Sequence, residues 1–420
     1  MVTLTDVNEI LKIDYIEVVR DVLNSSTVLN HRLEKDFESV QGDRVYIGLN
    51  VGRNMSFASA APSTLGSTTP APLPTAGEQS YAATTFQIPE MYGRLTVRER
   101  DIKASRNSKG ALIRVLDTEM RHLIRDSKNS VNKMNYNDGS GSLAVENGGG
   151  ASATRTVLLE HQGAAGGTVA TSFGTRLLEK GMKLNTCANR GGTETVVGAI
   201  VSSVTNPTTV VMTGSVTFTD THHICVAGSS GNDQMGLLGI VDDSAATYGF
   251  DKDLQGIDRD VPGNEFWQAN VMRNANTLRD VTLNMYQEAI DTSEIEGDGE
   301  ITCFLTTYGI RRETLGLLVA DKRFVAPYEM DLDGGFRALS YNGIPIIPDR
   351  HAPKHMIFGL DEPTIRFYQM SDWEWMEEDG AVLSRQAGVA AYEATLFLYR
   401  EMACTDPKNS VRIDDLNDPT

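Results

Sequence analysis

Two periodicities organise this chain. Apolar residues recur near every 3.6 positions at Leu112, Val115, Leu116, Met120, Leu123, Ile124, Val131 and Met134, while Arg114, Asp117, Arg121, Arg125, Asp126 and Lys128 populate the other faces. That spacing predicts one amphipathic helix with Ser108 as its N-cap. At 1.5 Å per residue the run 109–135 would be about 40 Å long. Asn137-Asp138-Gly139 supplies the stop, with the glycine that a left-handed C-cap needs. Upstream the period changes to two. Val45, Ile47, Leu49 and Val51 alternate with Tyr46, Gly48 and Asn50, and Phe86 and Ile88 alternate on the return side, so two strand-like legs are expected.

Between these legs, residues 48–89 form a low-complexity arm whose only charges are Arg53 and Glu78. It scatters Met55, Phe57, Leu65, Leu73 and Tyr81 among small residues and five prolines. Such a stretch cannot build a core of its own. Composition alone suits a disordered surface loop. An arm carried on two patterned legs instead suits contacts on another molecule, and Arg53, Met55, Phe57, Leu65, Leu73 and Tyr81 are the candidate contact residues.

The remaining elements read in order. Asp6 and Glu9 form a capping pair for one or two N-terminal helices. From Ser140 to about Asp233 the chain turns rich in Gly, Thr, Ser and Val with short alternating runs, which predicts a small all-β module of roughly 90 residues, barrel-like or sandwich-like. A helix over 275–290 with Asn276 as cap follows, then a buried-type strand from Ile301, and a helix carrying Ile310, Leu315, Leu318 and Val319. Leu339-Ser340-Tyr341, the turn Asn342-Gly343 and Ile344-Pro345-Ile346-Ile347 read as a hairpin, with Pro345 assigning its strand to a sheet edge. Runs from Met356, Thr364 and Ala394 complete a strand-rich end, and the polar segment from Asp406 reads as a frayed tail. The fold class is α+β.

Charge and candidate chemistry narrow the function. Of 420 residues, 40% are hydrophobic and the formal net charge is -18, so the chain can bury a core but lacks the cationic surface that gripping nucleic acid requires. Cys187, Cys225, Cys303 and Cys404 form no CxxC pair, and neither a zinc ribbon nor a disulfide framework is suggested. A reducing cytoplasm fits. The N-terminus has no signal-peptide pattern, and no apolar run approaches a membrane span. HExxH, GxSxG and Walker motifs are absent. The GxGxxA string at Gly139 follows a helix instead of joining strand to helix, so it reads as a helix stop. On a strand, His223 and Cys225 face one side and His222 the other, which favours a structural role over a metal site. Pro353 separates His351 from His355 and leaves both in a loop. Asp251, Asp253, Asp258 and Asp260 suit a solvated loop better than a cation site. Trp373 and Trp375, with Phe367 and Tyr368, suit packing better than a binding platform. No catalytic residue, metal or cofactor is assigned.

The order of these parts resembles the major capsid proteins of tailed bacteriophages, which have the Hong Kong 97-like shell fold. The strings that carry the resemblance are GDRVYI before the arm, GRLTVRERDI after it, the helix from Ser108, NDGSG with MGLLGI, TTYGIRR, DKRF at Asp321, and LSYNGIPIIPD at Leu339. The resemblance implies an N-terminal arm (1–41), an extended loop or E-loop with flanking strands (42–100), a peripheral domain with a spine helix (101–141), an inserted β-rich domain (142–233), an axial domain (234–361), closing strands of the peripheral domain (362–405) and a C-terminal tail (406–420). It also implies a non-enzymatic subunit that self-assembles as pentamers and hexamers into an icosahedral shell, in the virion, around double-stranded DNA contained without specific binding. Assembly in the host cytoplasm would use a separate scaffolding protein, a portal and a decoration or cementing protein. There is no lysine between Lys35 and Lys103, so covalent locking through a loop lysine is not expected. An encapsulin-like nanocompartment shell is the alternative within the same fold, and an α/β enzyme with an appended β domain is the alternative from another class.

Overall fold

The computed structural model describes residues 27–52, 54, 56–57, 75–100, 109–160, 173–243, 253–275, 277–321, 329–332, 336–377 and 382–419, and side chains outside 109–118 and 318–338. The expected N-terminal helices and the expected caps Ser108 and Asn276 lie outside these residues, and the side chains of Leu112, Val115, Leu116, Leu318 and Val319 lie outside the described side chains.

A short helix α1 (Val28–Arg32) leads to strands β1 (Glu34–Asp36), β2 (Val40–Gln41) and β3 (Arg44–Gly52). The return leg is β4 (Ser80–Gln87), followed by β5 (Glu90–Arg98) and the long helix α2 (Lys109–Tyr136). Strands β2, β3 and β4 form one small sheet in which β3 and β4 pair antiparallel from Arg44 opposite Gln87. The alternating legs are therefore one hairpin. The stripe read from the sequence meets its partner, because Met120, Ile124 and Val131 on α2 pack in one cluster with Trp373, Trp375, Leu396 and Leu398. Trp373 and Trp375 are core residues of that contact.

After α2 come β6 (Ser142–Asn147), β7 (Gly150–Leu158), β8 (Lys183–Cys187), β9 (Glu194–Asn206), β10 (Thr209–Phe218) and β11 (His223–Val226). They close into a barrel in the order β10-β7-β6-β11-β8-β9. Val157, Leu184, Val201, Val210, Met212 and Phe218 fill it, and Arg155 pairs with Glu146 at 3.0 Å inside. The Val- and Thr-rich runs supply one inward and one outward residue in turn, the pattern a small closed sheet requires.

The chain leaves the barrel through the short helix α3 (Leu237–Ile240), a two-stranded hairpin of β12 (Asp253–Leu254) and β13 (Ile257–Asp258), and β14 (Asn270–Met272). Next come α4 (Leu283–Gly297), β15 (Cys303–Thr306), α5 (Tyr308–Asp321), β16 (Glu329–Leu332), β17 (Phe336–Tyr341), β18 (Ile344–Pro348) and β19 (Ile357–Leu360). The chain closes with β20 (Ile365–Trp375), β21 (Ser384–Arg385), β22 (Ala391–Cys404) and β23 (Val411–Ile413). A seven-stranded sheet runs β14-β23-β19-β15-β18-β17-β16, and a five-stranded sheet joins β1, β20, β22 and β21, with β5 also pairing with β22.

Three expectations are corrected. The segment from Asp406 is not frayed: β23 pairs parallel with β14 and antiparallel with β19, in the interior of the seven-stranded sheet. Its polar residues are buried with partners, Arg412 donating to Asp242 of the barrel exit at 2.8 Å and to Asp414 of its own segment at 2.9 Å. The helix expected over 275–290 begins at Leu283, after Thr282, because Arg279 upstream exchanges backbone hydrogen bonds with Asp415 and Asn417 of the C-terminal segment. Pro345 is not on an edge strand, since β18 lies between β15 and β17. The proline is tolerated because the register with β15 starts one residue later, at Ile346. The turn itself is as expected, with Asn342 and Gly343 both at positive φ, 50° and 83°.

Candidate intersubunit surface

The β3–β4 hairpin is fastened at its base and open beyond it. Val45 is fully buried and packs with Ile88, Tyr368 and Ala403, while Leu49 joins the main core beside Leu238, Leu254 and Trp267. On the other leg, Thr85 donates its backbone N–H to the Gln255 carbonyl at 3.1 Å, so the hairpin is hydrogen-bonded to the β12–β13 turn. Gly256 permits that approach, because a Cβ there would lie 3.0 Å from the Thr85 oxygen and the backbone has a φ of 77°.

Past the register pair Asn50–Tyr81 the contacts change. Tyr81 is 74% exposed and its hydroxyl donates only to Gln79, two residues away, at 2.8 Å. Phe57 is 91% exposed, next to an Asx turn in which Ser56 N–H donates to Asn54 Oδ1 at 2.8 Å. A phenyl ring left in water forfeits about 2 kcal/mol of burial that a partner surface could recover. Of the six candidate contact residues, Phe57 and Tyr81 are thus placed on open surface, and Arg53, Met55, Leu65 and Leu73 lie outside the described residues.

Sequence patterning also missed a buried polar junction centred on Arg400. Arg400 on β22 donates Nε to Gln234 Oε1 at 3.0 Å, Nη1 to Asn30 Oδ1 at 2.8 Å and Nη2 to Asn135 Oδ1 at 2.8 Å, with its guanidinium 4.1 Å from the centre of the Phe367 ring. It joins α1, α2, the barrel exit and the five-stranded sheet. Burial pushes the guanidinium down to about 9. In the sequence Arg400 sits beside Glu401 in ATLFLYREMA, and the signal available was a pair of adjacent charges in a mostly apolar run of a strand that also carries Glu393.

The strings NDGSG and MGLLGI also meet. A Cβ on Gly236 would lie 2.3 Å from the carbonyl oxygens of both Met134 and Asn137, and one on Gly141 would lie 2.5 Å from Ser229 O. Entry to and exit from the barrel therefore run against each other. Asp138 accepts from Ser140 N–H at 3.1 Å and from Arg190 at 2.8 Å, while burial and the nearby Asp138 charge push Asp233 up to about 7. The barrel is clamped further along, where Arg176 donates to the His351 and Ala352 carbonyls at 3.2 and 3.0 Å and to Glu160 at 2.8 Å.

The candidate chemistry resolves into structural contacts. His223 Nδ1 lies 3.0 Å from Ser142 Oγ, and burial pushes the imidazole down to about 4. Cys225 and Cys187, 38 positions apart, bring their sulfurs to 3.3 Å across β11 and β8, a pairing their spacing did not reveal. His351 and His355 lie in a loop, the second with Nδ1 donating to Leu416 O at 2.8 Å. Asp253 and Asp258 face each other in the small hairpin, and Asp251 lies outside the described residues. Among the described residues no group of three or more His, Cys, Asp and Glu could hold a metal ion, and no helix is long and apolar enough to cross a membrane.

No protein-family model and no curated protein matches the chain. Among solved structures, it is similar to a cyanophage A-1(L) capsid subunit, at 12% identity over 94% of this chain and 93% of the other with a TM-score of 0.47. It is also similar to a Mycobacterium phage Bobi chain, at 10% identity over 100% of both with a TM-score of 0.45. The encapsulin SrpI of Synechococcus elongatus PCC 7942 is similar at 12% identity over 93% of this chain and 87% of that one, with a TM-score of 0.44.

Proposed function

We propose that the protein is the structural subunit of a phage-type icosahedral shell, assembling from pentamers and hexamers of this one chain around double-stranded DNA. The observation that carries the reading is the β3–β4 hairpin, whose base is built into the subunit's own core while Phe57 and Tyr81 beyond it stand exposed. An arm of that kind gains its missing contacts from a neighbouring copy. The net charge of -18 fits containment of DNA without adhesion to it. In this reading the barrel projects from the outer surface of the shell. A separate scaffolding protein guides assembly, a portal occupies one vertex and a decoration protein can bind outside. Assembly takes place in the host cytoplasm, and the product is the virion head.

Phe57→Asp in the full-length chain tests the arm. Particles of the variant should dissociate at a lower denaturant concentration than wild type, while the isolated subunits unfold at the same one. Equal losses in both would contradict an intersubunit role. The contents of purified particles separate this reading from a nanocompartment, DNA supporting it and an enzyme cargo opposing it.

A further inference from the structure

The two longest stretches of this chain without an ionisable side chain are 54–77, with 24 residues, and 195–219, with 25 residues. The first is the far part of the arm. The second forms nearly all of β9 and β10, on the barrel. Its inward residues Ala199, Val201, Val210 and Met212 fill the barrel, which accounts for half of the pattern. The outward half has no such explanation, because Val196 is 81% exposed and Ile200 44% exposed. The register continues this face onto β7, where Val211 lies opposite Thr154 and Thr209 opposite Thr156. Arg155 between those threonines points inward, to Glu146. At the other side Lys183 lies opposite Ile200. Glu194, at the start of β9, is turned to the barrel's end, accepting from Asn185 Nδ2 and from the N–H groups of Gly228 and Ser230.

An acidic chain therefore presents one broad β face with no carboxylate. Copies carrying a net charge of -18 repel, and contact between them is least opposed where that repulsion is locally absent. A cationic partner would be drawn to the acidic surface elsewhere, whereas a face cleared of acid suits a surface of the same sign. We propose that the outward face of β9, β10 and β7 is a second contact between copies of this chain, with Val196 and Ile200 covered in the assembled state. This rests on the shell reading above.

The test uses Ile200→Cys as a reporter, since all four native cysteines are buried. Maleimide alkylation of that thiol should be at least tenfold slower in assembled particles than in dissociated copies. Val196→Asp should lower the denaturant concentration at which particles dissociate and leave the melting temperature of dissociated copies unchanged. Equal alkylation rates in the two states, with a Phe57→Cys reporter slowed on assembly, would overturn this inference and leave the shell reading standing. Protection found only in particles that contain a second protein would overturn it in favour of a foreign partner. A wild-type chain that forms no multi-copy particle even with its scaffolding protein present would overturn both.

Discussion

Arg412 on β23 donates Nη2 to Asp242 Oδ1 at 2.8 Å, with both side chains buried. The pair joins the C-terminal strand to the segment that leaves α3, 170 positions earlier. Asp414 accepts from Nε of the same guanidinium at 2.9 Å, and Arg273 reaches Asp242 at 3.4 Å. The seven-stranded sheet is thereby tied to the exit from the barrel. Arg412→Met leaves two buried carboxylates without their nearest cation, which should cost about 3–5 kcal/mol. Urea unfolding of the isolated subunit measures it, and Arg412→Met/Asp242→Leu should recover part of the loss.

Gly236 is a position where bulk, and not backbone conformation, is limiting. Its φ of -127° suits any residue, but an added methyl would meet the Met134 and Asn137 carbonyls at 2.3 Å. Gly236→Ala should destabilise the subunit by about 3 kcal/mol, because backbone on a packed helix end cannot yield cheaply. Gly148→Ala serves as the comparison: nothing lies within 4 Å of a Cβ there, and only its φ of 103° opposes the change.

Acid should weaken the subunit through His351. Asn132 donates Nδ2 to Asp349 Oδ1 at 2.9 Å and lies 2.8 Å from His351 Nδ1, so that ring nitrogen accepts and the imidazole is neutral. Burial, together with the charges of Lys133, Arg350, Arg176 and Lys128, pushes it down to about 3 from an ordinary value of 6.5. Below pH 6.5 the unfolded chain binds a proton that the folded one refuses, so stability is lost as pH falls from 6.5 towards 3. Between pH 7 and 5 this contributes about 2 kcal/mol. His351→Gln should flatten the pH dependence of the unfolding midpoint over that range.

The barrel should loosen when its clamp is removed. Arg176→Ala strips two carbonyls of the 349–356 loop and the buried Glu160 of one donor. Because the buried Glu160 then loses a guanidinium partner at 2.8 Å, the cost should be about 3 kcal/mol. Hydrogen exchange should accelerate across β7 and β9 more than across β20 and β22.

Much of this fold was legible from period alone. Helix α2, the two legs of the hairpin, the Asn342-Gly343 turn and the β-rich module each state their pattern within ten to thirty residues. The failures share one cause, which is pairing between distant segments. Val411–Ile413 reads as polar tail because Arg412 looks exposed until Asp242 is brought beside it. The start of α4 is set by Asp415 and Asn417, not by a cap in its own sequence. Arg400 and the Cys187–Cys225 contact were hidden in the same way. For the candidate surface, patterning located the arm and its legs, whereas the contacts at their base, with Gln255 and Trp267, join segments about 170 to 220 positions apart and leave no local signature.

Imaging of the assembled protein by electron cryo-microscopy tests the central claim most directly. The account predicts closed shells of pentamers and hexamers in which the 44–87 hairpin of each copy lies against a neighbouring copy, with Phe57 and Tyr81 covered. A chain that stays monomeric with its scaffolding protein present, or a shell in which the hairpin folds back onto its own subunit, would contradict it.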